Sequence, residues 1–123
     1  MATTNLDLEN FGSVITEHEI VLIDFWAEWC GPCRQFGQIF EASSNEHDDV
    51  VFAKVDTEAN QELAANFQIM SIPTLMVFRD GILLFNQPGA LPADALEDII
   101  DQVKALDMDE IRKEIEAGNL SQA

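Results

Sequence analysis

Basic residues are scarce in this chain: 6 lysines and arginines stand against 23 aspartates and glutamates, a formal net charge of −17. Phosphate recognition needs clustered cations, so neither a nucleic acid nor an anionic membrane surface is an expected partner. The acidic residues are spread along the chain and read as a solubilising surface. Long apolar runs are also missing, and none approaches the roughly twenty residues that a membrane-crossing helix needs. Met1 to Asp7 offers neither a basic segment nor an apolar one, so no secretory signal is expected and the chain reads as cytoplasmic. Histidine is limited to His18 and His47, which lack the paired spacing of a zinc finger and read as solvated surface residues. Two cysteines alone cannot complete a closed zinc site of about four ligands, so no metal is expected.

Those two cysteines, Cys30 and Cys33, are separated only by Gly31-Pro32. In a reducing compartment a lone disulfide is seldom a structural staple, which points to a catalytic pair. Ile20 to Trp26 is apolar and β-branched and reads as a strand delivering the pair. Pro32 suits a first helical turn, where its missing N–H would be unpaired anyway, and the spacing predicts a helix from Pro32 to about Asn45. Cys30 then sits at a helix N-terminus, where free amides and the helix dipole favour its thiolate, making it the nucleophile. Cys33 lies a turn further in on the core side, keeps its proton longer and is placed to resolve a mixed disulfide. Trp29 beside Cys30 reads as an exposed apolar docking residue, and Trp26 as core.

At 123 residues the chain has the size of one domain. A short strand is expected near Thr3 to Leu6, then a helix capped by Asp7 with Leu8, Phe11 and Ile15 turned inward. Val50 to Asp56 reads as a second buried strand, followed by a helix from Glu58 to Asn66 capped by Thr57. Asp80-Gly81 marks a tight turn between antiparallel strands Leu75–Arg79 and Ile82–Phe85. Leu96, Ile99, Ile100 and Val103 mark a helix that covers the sheet. Met108, Ile111 and Ile115 mark another, with Asp107 and Glu110 as a capping box and Gly118 as its stop. This last segment is either an accessory helix packed on the domain or loosely attached, or a partner-binding helix. Each apolar strand carries one charge in its interior, Asp24 in the first and Lys54 in the second. A buried carboxylate without partners has its pKa raised by desolvation, so Asp24 could accept the proton of Cys33. It could equally be an exposed edge aspartate or a structural partner of Lys54, whose ammonium could simply reach water.

Residues Val21 to Cys33, ending Trp29-Cys30-Gly31-Pro32-Cys33, resemble the active-site segment of the thioredoxin family, in its bacterial form. Ile72-Pro73-Thr74 resembles that family's cis-proline segment, and Gly89-Ala90-Leu91 its late glycine loop. The likeness covers residues 5 to 106 or so, which divides the chain into a thioredoxin domain, 1–106, and a helical extension, 107–123. It implies an α/β thioredoxin fold: a central mixed five-stranded sheet flanked by four helices, with the extra C-terminal helix added. It further implies a protein-disulfide reductase serving cell redox homeostasis, recycled by a thioredoxin reductase that carries FAD and uses NADPH, with no cofactor bound to this chain. Disulfide-containing proteins would be its substrates, and it would act as a monomer. By the same likeness Asp24 is the proton acceptor and Lys54 tunes it. Trp29, Gly31, Pro32, Ile72, Pro73 and Gly89 would form the substrate surface, with the backbone of Ile72 pairing to an extended substrate segment and Pro73 keeping metal ions off the thiols. Gln38 stands where the family usually has a second proline, which predicts a straighter helix unless Gly37 bends it. Ser71 replaces a common glycine. The competing classes are a zinc site and a non-catalytic module that holds partners on the apolar surface around Trp29, Ile72 and Gly89.

Overall fold

The computed structural model describes residues 3–119. Among these, five strands form one mixed sheet in the order β1-β3-β2-β4-β5, and five helices accompany it. Strand β2 (Ile20–Trp26) holds the central place, parallel to β3 (Val51–Asp56) and antiparallel to β4 (Thr74–Arg79). Strand β1 (Thr3–Asn5) pairs with β3 in parallel on one edge, and β5 (Ile82–Pro88) pairs with β4 on the other. Side chains alternate across a strand, so the apolar runs of β2, β3 and β4 supply two cores. Leu22, Phe52, Leu75 and Val77 meet Phe36, Phe40, Leu96, Ile100 and Val103 on one face. These residues lie on α2 (Gly31–Ser44) and α4 (Ala93–Ala105). Ile23, Phe25, Val55 and Met76 meet Ile15 and Leu63 on the other face, under α1 (Phe11–Glu17) and α3 (Gln61–Asn66).

The hairpin between β4 and β5 turns at Asp80 (φ 54°) and Gly81 (φ 77°), the paired positive angles that its Asp-Gly dipeptide favours. A register shift between Val77 and Phe78 marks a bulge, and β5 continues to Pro88, three residues past the expected end at Phe85. Two helix starts differ from the expected ones. Asp7 and Asn10 bond reciprocally, each carboxyl or amide oxygen taking the other's backbone N–H at 2.9 and 2.8 Å, so α1 begins after Asn10. Leu8 lies in that turn and is exposed, not core. Thr57 does not cap α3 either: its hydroxyl donates to the Trp26 carbonyl at 3.1 Å, prolonging the link between β2 and β3. Asp56 takes the N–H groups of Glu58 and Ala59 at 2.9 and 3.3 Å, and the helix starts only after Asn60.

Helix α5 (Met108–Glu116) is capped by Asp107, which accepts from the N–H of Asp109 and Glu110 at 3.1 and 3.2 Å; Glu110 returns no side-chain bond to the Asp107 N–H among the described residues, so the expected capping box is half made. Met108 is buried, and Arg112 reaches Asp80 in the hairpin turn at 3.2 Å. Just before it, Arg79 donates to the carbonyls of Val103, Lys104 and Leu106 at 2.7, 3.2 and 3.1 Å, closing the end of α4 with a cation. Helix α5 is therefore seated on the domain, as the packed version of the accessory-helix reading has it. Removing residues 107–123 is expected to lower stability by about 2 kcal/mol, most of it the burial of Met108. Urea unfolding checks this, and an unchanged midpoint would mean that the helix rests on the domain without stabilising it.

Candidate redox site

At the end of β2 the chain turns through Ala27, Glu28 and Trp29 into α2, and Cys30 becomes the N-cap of that helix. The Sγ of Cys30 accepts a hydrogen bond from the backbone N–H of Cys33 at 3.2 Å. One N–H of the first helical turn is thus directed at the sulfur, at the end of the helix whose dipole favours negative charge. Cys30 and Cys33 are joined in a disulfide, with Cα atoms 5.2 Å apart. Both are buried in this oxidised state, Cys30 at 5% exposure and Cys33 at 3%, so exposure hardly separates them. Their neighbours do. Cys30 Sγ lies 3.8 Å from the carbonyl oxygen of Ile72, whereas Cys33 looks into a cleft between α2 and β3.

Ile72–Pro73 is a cis peptide, and Pro73 is buried at the start of β4. Its carbonyl accepts the N–H of Gly89 at 2.8 Å, and Gly89 has φ 97°, a conformation for which glycine is suited. Ser71, in the loop before it, is fixed through its own carbonyl, which accepts the Thr74 hydroxyl at 2.7 Å. Ile72, Pro73 and Gly89 are thereby brought to the Cys30 side of the disulfide. Trp29 is 68% exposed there, with Gly31 and Pro32 also at the surface. Met70, two residues before Ile72, is 93% exposed in the run Gln68-Ile69-Met70-Ser71, where its apolar neighbour Ile69 is half-buried, so no local pattern marks it as a surface residue.

Asp24, Lys54 and Trp26 share the parity of Leu22 and Phe52, so all three side chains project to the sheet face that α2 covers. Asp24 is fully buried and, among the described residues, neither carboxylate oxygen has a hydrogen-bond partner. Burial raises its pKa from 3.8 to about 7, with the positive charge of Lys54 pulling the other way. Lys54 pairs with Asp24 in strand register, yet its ammonium makes no ion pair among the described residues. It lies 5.1 Å from the centre of the Trp26 ring. Trp26 is only half-buried, because its ring borders the α2–β3 cleft instead of the core proper. Helix α2 runs unbroken through Gly37 and Gln38. Among the described residues no cluster of His, Cys, Asp or Glu could hold a metal ion, and no helix is long and apolar enough to cross a membrane.

The thioredoxin family model matches residues 2–102. A Streptomyces coelicolor protein provisionally named thioredoxin 2 is 56% identical over 114 residues, spanning 93% of this chain and 85% of its own length. The Bacillus subtilis thioredoxin is 38% identical over 91 residues, 73% of this chain and 88% of its own. Among solved structures, a mutant thioredoxin from Halobacterium salinarum superposes with a TM-score of 0.79 at 32% identity, covering 86% of this chain and 94% of that one.

A carboxyl group whose pKa is raised on folding favours the fold while it is protonated. Its contribution is complete below the unfolded value and is lost as pH rises through about 7. Asp24→Asn is therefore expected to match the parent in stability near pH 3.5 and to gain steadily above it, by up to about 4 kcal/mol at pH 8. Denaturant titrations of both proteins across that range check it; parallel stability curves would show that Asp24 is not desolvated.

Proposed function

This chain belongs to the thioredoxin family and is a thiol–disulfide oxidoreductase acting as a protein-disulfide reductase, and from that premise we propose the roles of its residues. In the reduced protein the Cys30 thiolate attacks one sulfur of a substrate disulfide. A Cys30–substrate bond forms, the substrate S–S bond breaks, and one substrate thiolate leaves. Cys33 then gives its proton to Asp24 and attacks Cys30 Sγ, closing the Cys30–Cys33 bond and releasing the second substrate thiolate. The two electrons of the dithiol end on the substrate. Lys54 tunes the proton affinity of Asp24 from beside it.

The observation that carries this reading is the position of Cys30 Sγ: at the N-cap of α2, 3.2 Å from the Cys33 nitrogen, and 3.8 Å from the Ile72 carbonyl beside buried Pro73. Trp29, Gly31, Pro32, Ile72, Pro73 and Gly89 form the substrate surface, on which an extended segment adds as a strand to the Ile72 backbone. Thioredoxin reductase and disulfide-bearing proteins are the partners that the family implies. The reductase recycles the oxidised pair with NADPH through its FAD, and this chain binds no cofactor of its own. It works as a cytoplasmic monomer. Residues 1–106 form the catalytic domain and 107–123 a helical extension that takes no part in the chemistry.

Insulin reduction driven by NADPH and thioredoxin reductase is expected to proceed with the parent chain. Cys33→Ser is expected to reduce turnover by at least about a hundredfold, on the order of the loss when a unit of catalytic residues is broken. It should also accumulate a covalent Cys30–substrate adduct, visible by mass and cleared by dithiothreitol. A variant that retained its partners without a covalent bond would instead mark the chain as a binding module.

A further inference from the structure

Gly37 sits in the middle of α2, where glycine is about 1 kcal/mol poorer than alanine and no unusual backbone angle calls for it. It follows Cys33 by four residues, so the two lie on one helix face, a turn apart. A methyl group placed on Gly37 would touch the Lys54 ammonium nitrogen at 3.6 Å, an ordinary contact, so that a side chain longer than alanine's is what would run into the cation. Trp26 bounds the same ammonium on another side, its ring centre 5.1 Å away. Cys33, Gly37, Lys54 and Trp26 all line the one cleft, of about 720 Å³, between α2 and β3. The missing side chain leaves room at the point where the cation rests.

We propose that Gly37 is a positioning residue, its absent side chain forming a seat that holds the Lys54 ammonium against the Trp26 ring, on the face shared by Asp24 and Cys33. This rests on the reading of Asp24 as the acceptor of the Cys33 proton. Held there, the cation stays wet on the cleft side and acts on Asp24 through space without closing an ion pair that would fix the carboxylate in its charged form. The other ionisable groups that line the cleft are Glu28 in the β2–α2 loop and Arg34 and Glu41 on α2; Asp24 lies beside Lys54 in the sheet, and Asp56 on β3 borders Lys54 in a neighbouring hollow. Asp7, in the turn before α1, faces Lys54 from the far side. Lys54 is the one among them that shares both a strand register and a sheet face with Asp24.

The experiment is a carboxyl-carbon NMR titration of Asp24 in the oxidised full chain, for the parent, Gly37→Ala, Gly37→Leu, Lys54→Gln and the double variant Gly37→Leu/Lys54→Gln. Filling the seat moves the cation outward, so the Asp24 midpoint is expected to rise by roughly half to one pH unit in Gly37→Leu and to stay near the parent's in Gly37→Ala, whose methyl fits at contact distance. Lys54→Gln should raise it at least as far, and in that background Gly37→Leu should add nothing. In the reduced proteins, release of the second substrate thiol at pH 6 should slow roughly three- to tenfold in step with that midpoint. The proposal is overturned if Lys54→Gln leaves Asp24 unmoved, if both Gly37 variants titrate like the parent, or if Gly37→Leu shifts Asp24 equally when Lys54 is gone, since the leucine would then act by excluding water. Should the midpoints behave as expected while thiol release ignores them, the seat stands and the role of Asp24 as proton acceptor falls.

Discussion

The position of β2 between β3 and β4 constrains everything else in this molecule. A strand paired on both edges and covered on both faces has nowhere to move, so the direction in which its last residues leave the sheet is fixed by the two cores. The first turn of α2 inherits that rigidity, and Cys30 is held as the cap of a helix whose underside is pinned by Phe36 and Phe40. On the opposite side the same strand fixes β4 in register, and β4 in turn fixes Pro73 and the Ile72 carbonyl. The two halves of the site, the sulfur and the backbone that receives a substrate, are set relative to one another through a shared strand.

The same burial creates the tension on which the chemistry depends. Asp24 occupies a position that packing alone would give to valine or leucine, with Leu75 beside it on one neighbour and Lys54 on the other. Its carboxyl group therefore holds its proton until about pH 7, within reach of conditions where a thiol must lose one. A carboxylate with firm hydrogen-bond partners would stay ionised throughout and could not take up a proton. Leaving it unpartnered destabilises the fold, and the two phenylalanine-rich cores supply the margin.

The strands, the main helices and the redox pair were legible in the sequence because each rests on a local pattern: an apolar run, a 3.6-residue stripe, or a cysteine spacing. The Asp80-Gly81 turn was equally plain, since few residues tolerate its backbone angles. Helix starts were not. Near Asp7 and again near Thr57, several side chains able to cap lie within a few residues, and the start is settled by a reciprocal local pair with Asn10 in the first case and by a tertiary partner, Trp26, in the second. The cis form of Pro73 followed from likeness to a family and not from the residues. Trp26 was misplaced for a related reason: a seven-residue apolar strand gives no hint that its last member leaves the core for a cleft. The meeting of Gly37 with Lys54 joins positions on a helix and a distant strand, and no periodicity in either segment records it.

The disulfide spans a separation of only three residues. A cross-link that short removes little freedom from an unfolded chain, roughly 2 kcal/mol by the chain-entropy relation, and less than a bridge between distant segments would. Opening it therefore leaves the architecture intact, because the two cores and the sheet ladder do not run through the sulfurs. An electron carrier built in this way can shuttle between its two redox forms as a folded body, and its oxidation state is free to follow its partners without being dictated by its own need for structural integrity.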